Sequence, residues 1–136
     1  MNTSSIVFYK LEGGNTEISV ILDGETVWLS LSQMTDLFQR DKSVISRHIH
    51  NIFNDGELEK ISTVANFATV QIEGEREITR SIEYFNLDVI ISVGYRVKSQ
   101  RGIDFRIWAN RILKDYLIKG YSINEKRLTQ QNEQLK

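Results

Sequence analysis

The period of the apolar positions changes several times along this chain, and each change predicts an element. Between residues 6 and 29 the apolar residues fall in short β-prone runs: Val7-Phe8-Tyr9, then Ile18 to Leu22, then Thr26 to Leu29. Gly13-Gly14 and Asp23-Gly24 separate them, and Asp-Gly between such runs is a strong hairpin signal. From Leu31 to Phe53 the period becomes helical. Met34, Leu37 and Phe38 form the apolar side of a first helix, and Val44, Ile45, Ile49, Ile52 and Phe53 that of a second. A tight turn joins them, and Asp41 or Ser43 is suited to cap the second. Asn54-Asp55-Gly56 stops that helix, with Gly56 suited to a left-handed cap. Residues 57–63 read as a loop or short connecting turn. Two further β runs follow, Asn66 to Ile72 and Arg76 to Phe85, around the turn Glu73-Gly74-Glu75.

Asn86 caps a short apolar helix beginning at Leu87, which Gly94 and the stretch Arg96 to Gly102 are expected to break. Phe105, Trp108, Ala109, Ile112, Leu113, Tyr116 and Leu117 then share one helical face, and Gly120 is placed to end that helix. After Ile123 the chain turns polar, with Leu128 and Leu135 one heptad apart. The pattern predicts an α+β fold over residues 1–123. It is winged helix-turn-helix-like: N-terminal β-hairpin strands, a helix-turn-helix, a hairpin in the place of a wing, and a long C-terminal amphipathic helix. That helix is expected to pack through Phe105, Trp108, Ile112 and Tyr116. Residues 124–136 are expected to form a polar helical tail, the start of a coiled coil or a linker.

The 136 residues leave room for one real core, and 40% hydrophobic with 26% charged residues is globular usage. No apolar run approaches the ~20 residues needed to span a bilayer. The N-terminus lacks the basic start and apolar core of a signal peptide. There are no cysteines, which removes disulfides and thiolate-bound zinc and fits a cytoplasmic location. No proline is present, where average usage gives about 7.

The net charge of −1 argues against a sequence-independent DNA coater, which is normally basic. It conceals an asymmetry. Arg96 to Lys119 holds seven basic and two acidic residues, while residues 1–95 hold seven basic and fourteen acidic ones. On the second helix, Lys42, Ser43, Ser46, Arg47 and His50 lie away from the apolar side, free to reach phosphates and base edges in a major groove. The bland alternative is a helical hairpin in an unrelated core. Arg40, Arg76, Arg80, Arg96, Lys98, Arg101 and Arg106 are candidate phosphate contacts, or a solvated face balancing Glu73, Glu75, Glu77 and Glu83. His48 and His50 lie two apart, about 200° around a helix, so they cannot share a metal ion. No phosphate loop, nucleophile elbow, metal-ligand set or acid/base pair stands out, so neither catalysis nor a cofactor is expected.

Three segments together resemble the RhuM family of bacterial virulence-associated proteins: DGETVWLSLSQMTDLFQRDKSVISRHIHNIFNDGEL, then NFATV, then YFNLDVIISVGYRVKSQRGIDFRIWANRILKDYLIKGYSIN. The resemblance covers about residues 6 to 124. It implies a DNA-binding-like region at the N-terminus of longer proteins found in mobile-element and prophage settings. The last segment is similar, more distantly, to phage antirepressor and Bro-type N-terminal modules. No catalytic residues carry over. The expectation is therefore a sequence-specific, non-catalytic binder of double-stranded DNA acting as a homodimer, since a chain that is not basic overall binds weakly as a monomer. The alternative is an adaptor that binds another protein.

Overall fold

The computed structural model describes residues 5–11 and 17–134, with side chains up to Lys119. It is an α+β fold built on one open five-stranded antiparallel sheet. The strands are β1 (Ser5–Lys10), β2 (Glu17–Asp23), β3 (Thr26–Ser30), β4 (Val64–Glu73) and β5 (Arg76–Asn86), in the order β1-β2-β3-β5-β4. The Asp23-Gly24 turn closes the β2–β3 hairpin with Gly24 at φ +66°, a conformation glycine adopts without a Cβ clash. The hairpin expected as a wing is part of the main sheet. Trp28, Leu29 and Ser30 of β3 pair with Asn86, Phe85 and Tyr84 of β5, while the distal half of the hairpin carries mainly exposed side chains.

Five helices lie among the described residues: α1 (Leu31–Phe38), α2 (Lys42–Asn54), α3 (Lys60–Thr63), α4 (Leu87–Val97) and α5 (Gln100–Gln134). One sheet face supplies the floor of the core. Ile18, Val20 and Leu22 of β2 and Val27 and Leu29 of β3 point inward by period-2 alternation. Met34, Leu37 and Phe38 from α1 and Ile45, Ile49 and Ile52 from α2 close over them, with Val89, Ile90 and Val93 of α4 and Phe105 and Ala109 of α5. Tyr9 of β1 meets Phe105 edge-on at 5.2 Å, which fastens α5 to the sheet margin.

The helix ends explain the local geometry. A capping box opens α1: Ser30 Oγ accepts from the Gln33 amide at 3.2 Å, and Gln33 Oε1 accepts from the Ser30 amide at 2.9 Å. Asn86 caps α4 as the sequence implied, its Oδ1 accepting from the Val89 amide. Asp41 occupies the N-cap of α2, but its carbonyl rather than its side chain takes the first amides. Gly56 is left-handed at φ +76°.

Four expectations need correction. The segment 57–63 contains the short helix α3, in which Thr63 Oγ1 returns a bond to the Glu59 carbonyl. Gly94 does not break α4. It lies inside the helix because α5 crosses there: a Cβ on Gly102 would stand 3.2 Å from Gly94 Cα and 3.0 Å from Phe38 Cε1. The helix ends instead at Lys98, which takes the left-handed conformation at φ 51°. Gly120 does not end α5, whose backbone continues to Gln134; an interior glycine costs a helix only about 1 kcal/mol and no proline follows. Tyr116 is exposed because the core ends near Leu113, leaving α5 to run on beyond it.

Candidate nucleic-acid interface

Helix α2 is held by one side and displays the other. Ile45, Ile49 and Ile52 are buried against the core, while Lys42, Ser43, Ser46, Arg47 and His50 are all exposed. None of these five side chains makes a hydrogen bond or ion pair among the described residues. They divide by angle around the helix. Lys42, Ser46 and His50 look into a cleft of about 830 Å³ between α2, the start of α1 and the β4–β5 hairpin. Ser43 and Arg47 do not line it and lie on the outer crest of α2.

The far wall of that cleft comes from Thr69, Val70, Gln71, Ile82, Glu83 and Tyr84, with Lys60 of α3 at its margin. Apart from Glu83, named only as a balancing charge, none of these residues is a candidate in the sequence reading. Lys60 lies in a segment that reads as a loop, and the others are consecutive residues of β4 and β5, which strand alternation assigns to both faces, so no local signal marks them. Tyr84 is buried under Phe67, with the rings edge-on at 5.3 Å, and burial pushes its phenol above the ordinary value of 10.0. It therefore presents a neutral hydroxyl, able to donate as well as accept.

The other flank of α2 is fastened. Arg96 of α4 reaches Glu57 at 3.0 Å and Asp55 at 3.5 Å, just beyond the end of α2. Arg40, in the turn between α1 and α2, donates at 3.3 Å each to the carbonyls of Phe38, Gln39 and Val97. Its charge thus meets the C-terminal ends of α1 and α4, where cations are favoured. His48, half-buried on this flank, has its pKa lowered from 6.5 by burial first, then by the Arg47 and Arg96 charges.

The remaining candidate cations do not converge on α2. Lys98 and Arg106 line a separate cleft of about 370 Å³ between α4 and α5, beside Tyr95 and Ile103. Arg101 is half-buried, and its Nη1 is buried with no hydrogen-bond partner among the described residues. Arg80 on the hairpin is paired with Glu73 at 2.6 Å, and Arg76 stands exposed at the hairpin tip opposite Glu73. Among the described residues, no group of three or more His, Asp or Glu side chains could hold a metal ion. No described helix is long and apolar enough to cross a membrane.

The geometry defines an α+β domain that carries an exposed polar helix face, unpartnered among the described residues, beside a sheet hairpin. A family model matches the chain over residues 62–136, that of the Virulence protein RhuM family. The matched span is more than half of the chain, and the protein belongs to this family. It takes in β4, β5, α4 and α5 but neither α1 nor α2. The Bro-type likeness is not shown by that match. Comparison with curated proteins and with solved structures gave no match.

Proposed function

We propose that this chain is the non-catalytic, sequence-specific DNA-binding part of a mobile-element or prophage-type regulator, reading double-stranded DNA with α2 in the manner of a winged helix-turn-helix. The observation that carries the reading is the exposed side of α2. Lys42, Ser43, Ser46, Arg47 and His50 stand on a helix whose opposite side is fixed in the core, and none is engaged by another side chain among the described residues. Arginine suits guanine edges and lysine suits phosphates, while serine and histidine bond to either. In this reading the β4–β5 hairpin lies beside the duplex as a wing. Arg76 at its tip meets the backbone, whereas Arg40 and Arg96 hold the helices in place. Because the net charge is −1, one copy makes few phosphate contacts and two copies share the site.

Selection from a random duplex library at moderate salt should enrich one motif. Arg47→Ala should relax one position of it, at about 1–3 kcal/mol of lost discrimination. No enriched motif, or an Arg47→Ala variant that selects the same motif as wild type, would sink the reading.

A second reading, an adaptor that binds another protein, is favoured by one observation. Val70 and Ile72 are exposed on β4, the unpaired margin of the sheet, next to the acidic hairpin residues Glu73, Glu75 and Glu77. It predicts a partner that co-purifies equally well with Arg47→Ala.

A further inference from the structure

Helix α2 and the β4–β5 hairpin enclose more than a polar face. The cleft between them, at about 830 Å³, has the size of a small-molecule site. Ile49, Phe53, Ile82 and Phe85 form part of its lining, the first and last buried and the other two half-buried. Lys42, Ser46 and His50 follow one another at steps of four residues along α2, a stripe about 12 Å long on one side of the helix. Lys60 of α3 adds a further cation at the margin. Among the described residues, Glu83 is the one carboxylate in the lining, and it pairs with none of these cations. In a chain of net charge −1, the cleft thus gathers two lysines and a histidine against one acid.

The lining selects the class of ligand. The phosphates and base edges of a duplex could satisfy the cations but would leave the apolar lining wet. A purely apolar ligand would cover that lining and leave the ammonium groups desolvated without a partner. An organic anion with an apolar body answers both: its body covers the apolar lining, its charge meets the lysines, and the hydroxyls of Ser32 and Ser46 orient it.

We propose that the cleft between α2 and the β4–β5 hairpin is a binding site for a small organic anion with an apolar body, and that such a ligand competes with duplex DNA for Lys42, Ser46 and His50. The competition rests on the reading of α2 as the DNA-reading helix; the site itself does not.

Titration of the full chain with anilinonaphthalene sulfonate, followed by its fluorescence, should show one saturable site. Phenylnaphthylamine, the same body without the sulfonate, should bind about tenfold more weakly. Lys42→Ala and Lys60→Ala should each raise the dissociation constant of the sulfonate by about threefold, and Ser46→Trp, which fills the cleft, should abolish binding. Circular dichroism of the three variants should match wild type, because all three side chains are exposed. The smaller cleft between α4 and α5 also holds two cations, Lys98 and Arg106, so Arg106→Ala is the control and should bind the sulfonate as wild type does. With the sulfonate about tenfold above its dissociation constant, the apparent dissociation constant for the selected duplex motif should rise about elevenfold. No saturable binding, equal affinity for the charged and neutral probes, or a loss of affinity in Arg106→Ala but not in Lys42→Ala and Lys60→Ala would each overturn the site. Unchanged duplex affinity at saturating sulfonate would overturn the competition. A chain that takes the sulfonate in this cleft yet selects no DNA motif leaves the site standing and removes only the reading of α2.

Discussion

The two flanks of α2 carry similar residues and use them in opposite ways. On the flank facing α4, Arg40 and Arg96 are occupied: one joins the carbonyl ends of two helices, the other holds two carboxylates beyond the end of α2. On the cleft side and the outer crest, Lys42, Arg47 and His50 have no hydrogen-bond or ion-pair partner among the described residues. Seen only as letters, Arg40, Arg47 and Arg96 are equivalent candidates for phosphate. The difference teaches that availability, rather than residue type, separates a cation that can serve a ligand from one that serves the fold.

The fastened flank depends on the crossing of α4 over α5, and that is where the largest effect is expected. Gly102→Ala would push a methyl to 3.0 Å from Phe38 Cε1, and Phe38 is only 1% exposed, with nowhere to move. Overpacking of this kind costs about 1–3 kcal/mol, from which a helix-propensity gain of about 1 kcal/mol is recovered. Urea unfolding should therefore show a net loss. Gly94→Ala, whose nearest contacts are at 3.4 Å, escapes that overpacking and should keep most of the propensity gain of about 1 kcal/mol. Equal effects at the two glycines would mean that the helices do not meet as described.

Next in size are the fastened arginines themselves. Arg40→Ala should lower the unfolding free energy by about 0.5–1.5 kcal/mol, since its bonds are long, and Arg96→Ala should lower the denaturation midpoint measurably. By contrast, Arg47→Ala and His50→Ala should leave stability within about 0.5 kcal/mol of wild type while changing DNA selection. If Arg47→Ala proved as destabilising as Arg96→Ala, the contrast between the flanks would fail.

Much of this arrangement was legible in the sequence, and what was not shares a cause. The period-2 and period-3.6 runs gave both hairpins and the inward faces of α2 and of the first part of α5, because burial imposes those periods locally. Glycine misled twice. Gly94 and Gly120 read as helix breakers, yet Gly94 sits at a helix crossing and the backbone passes through Gly120. A close approach between helices far apart in sequence leaves no local mark. The same holds for Arg96, whose partners Asp55 and Glu57 lie about forty residues earlier. The exposed face of α2 could be named from its periodicity, but the cleft could not, since its far wall lies across the β4–β5 hairpin. The apolar period that puts Tyr116 on the core face continues past Leu113, whereas the core stops there.

The smallest effect is a pH dependence that tests the fastened flank without cutting any bond. Burial, then the charges of Arg47 and Arg96, lowers the pKa of His48 below its ordinary 6.5. The native state therefore resists a proton that the unfolded chain accepts. Above about pH 6.5 both states hold the neutral imidazole and the term is absent. As pH falls from there through the lowered native value, the unfolded state binds more protons and the unfolding free energy declines. Below that native value both states are protonated and the loss is complete. Melting temperatures measured from about pH 7.5 down to pH 5 should thus fall more for wild type than for His48→Gln, which cannot take the proton. Repeating the series with Arg96→Ala should narrow the gap, since one of the opposing charges is gone. Parallel curves for wild type and His48→Gln would show that His48 sits in water, and that the flank facing α4 is as open as the cleft side.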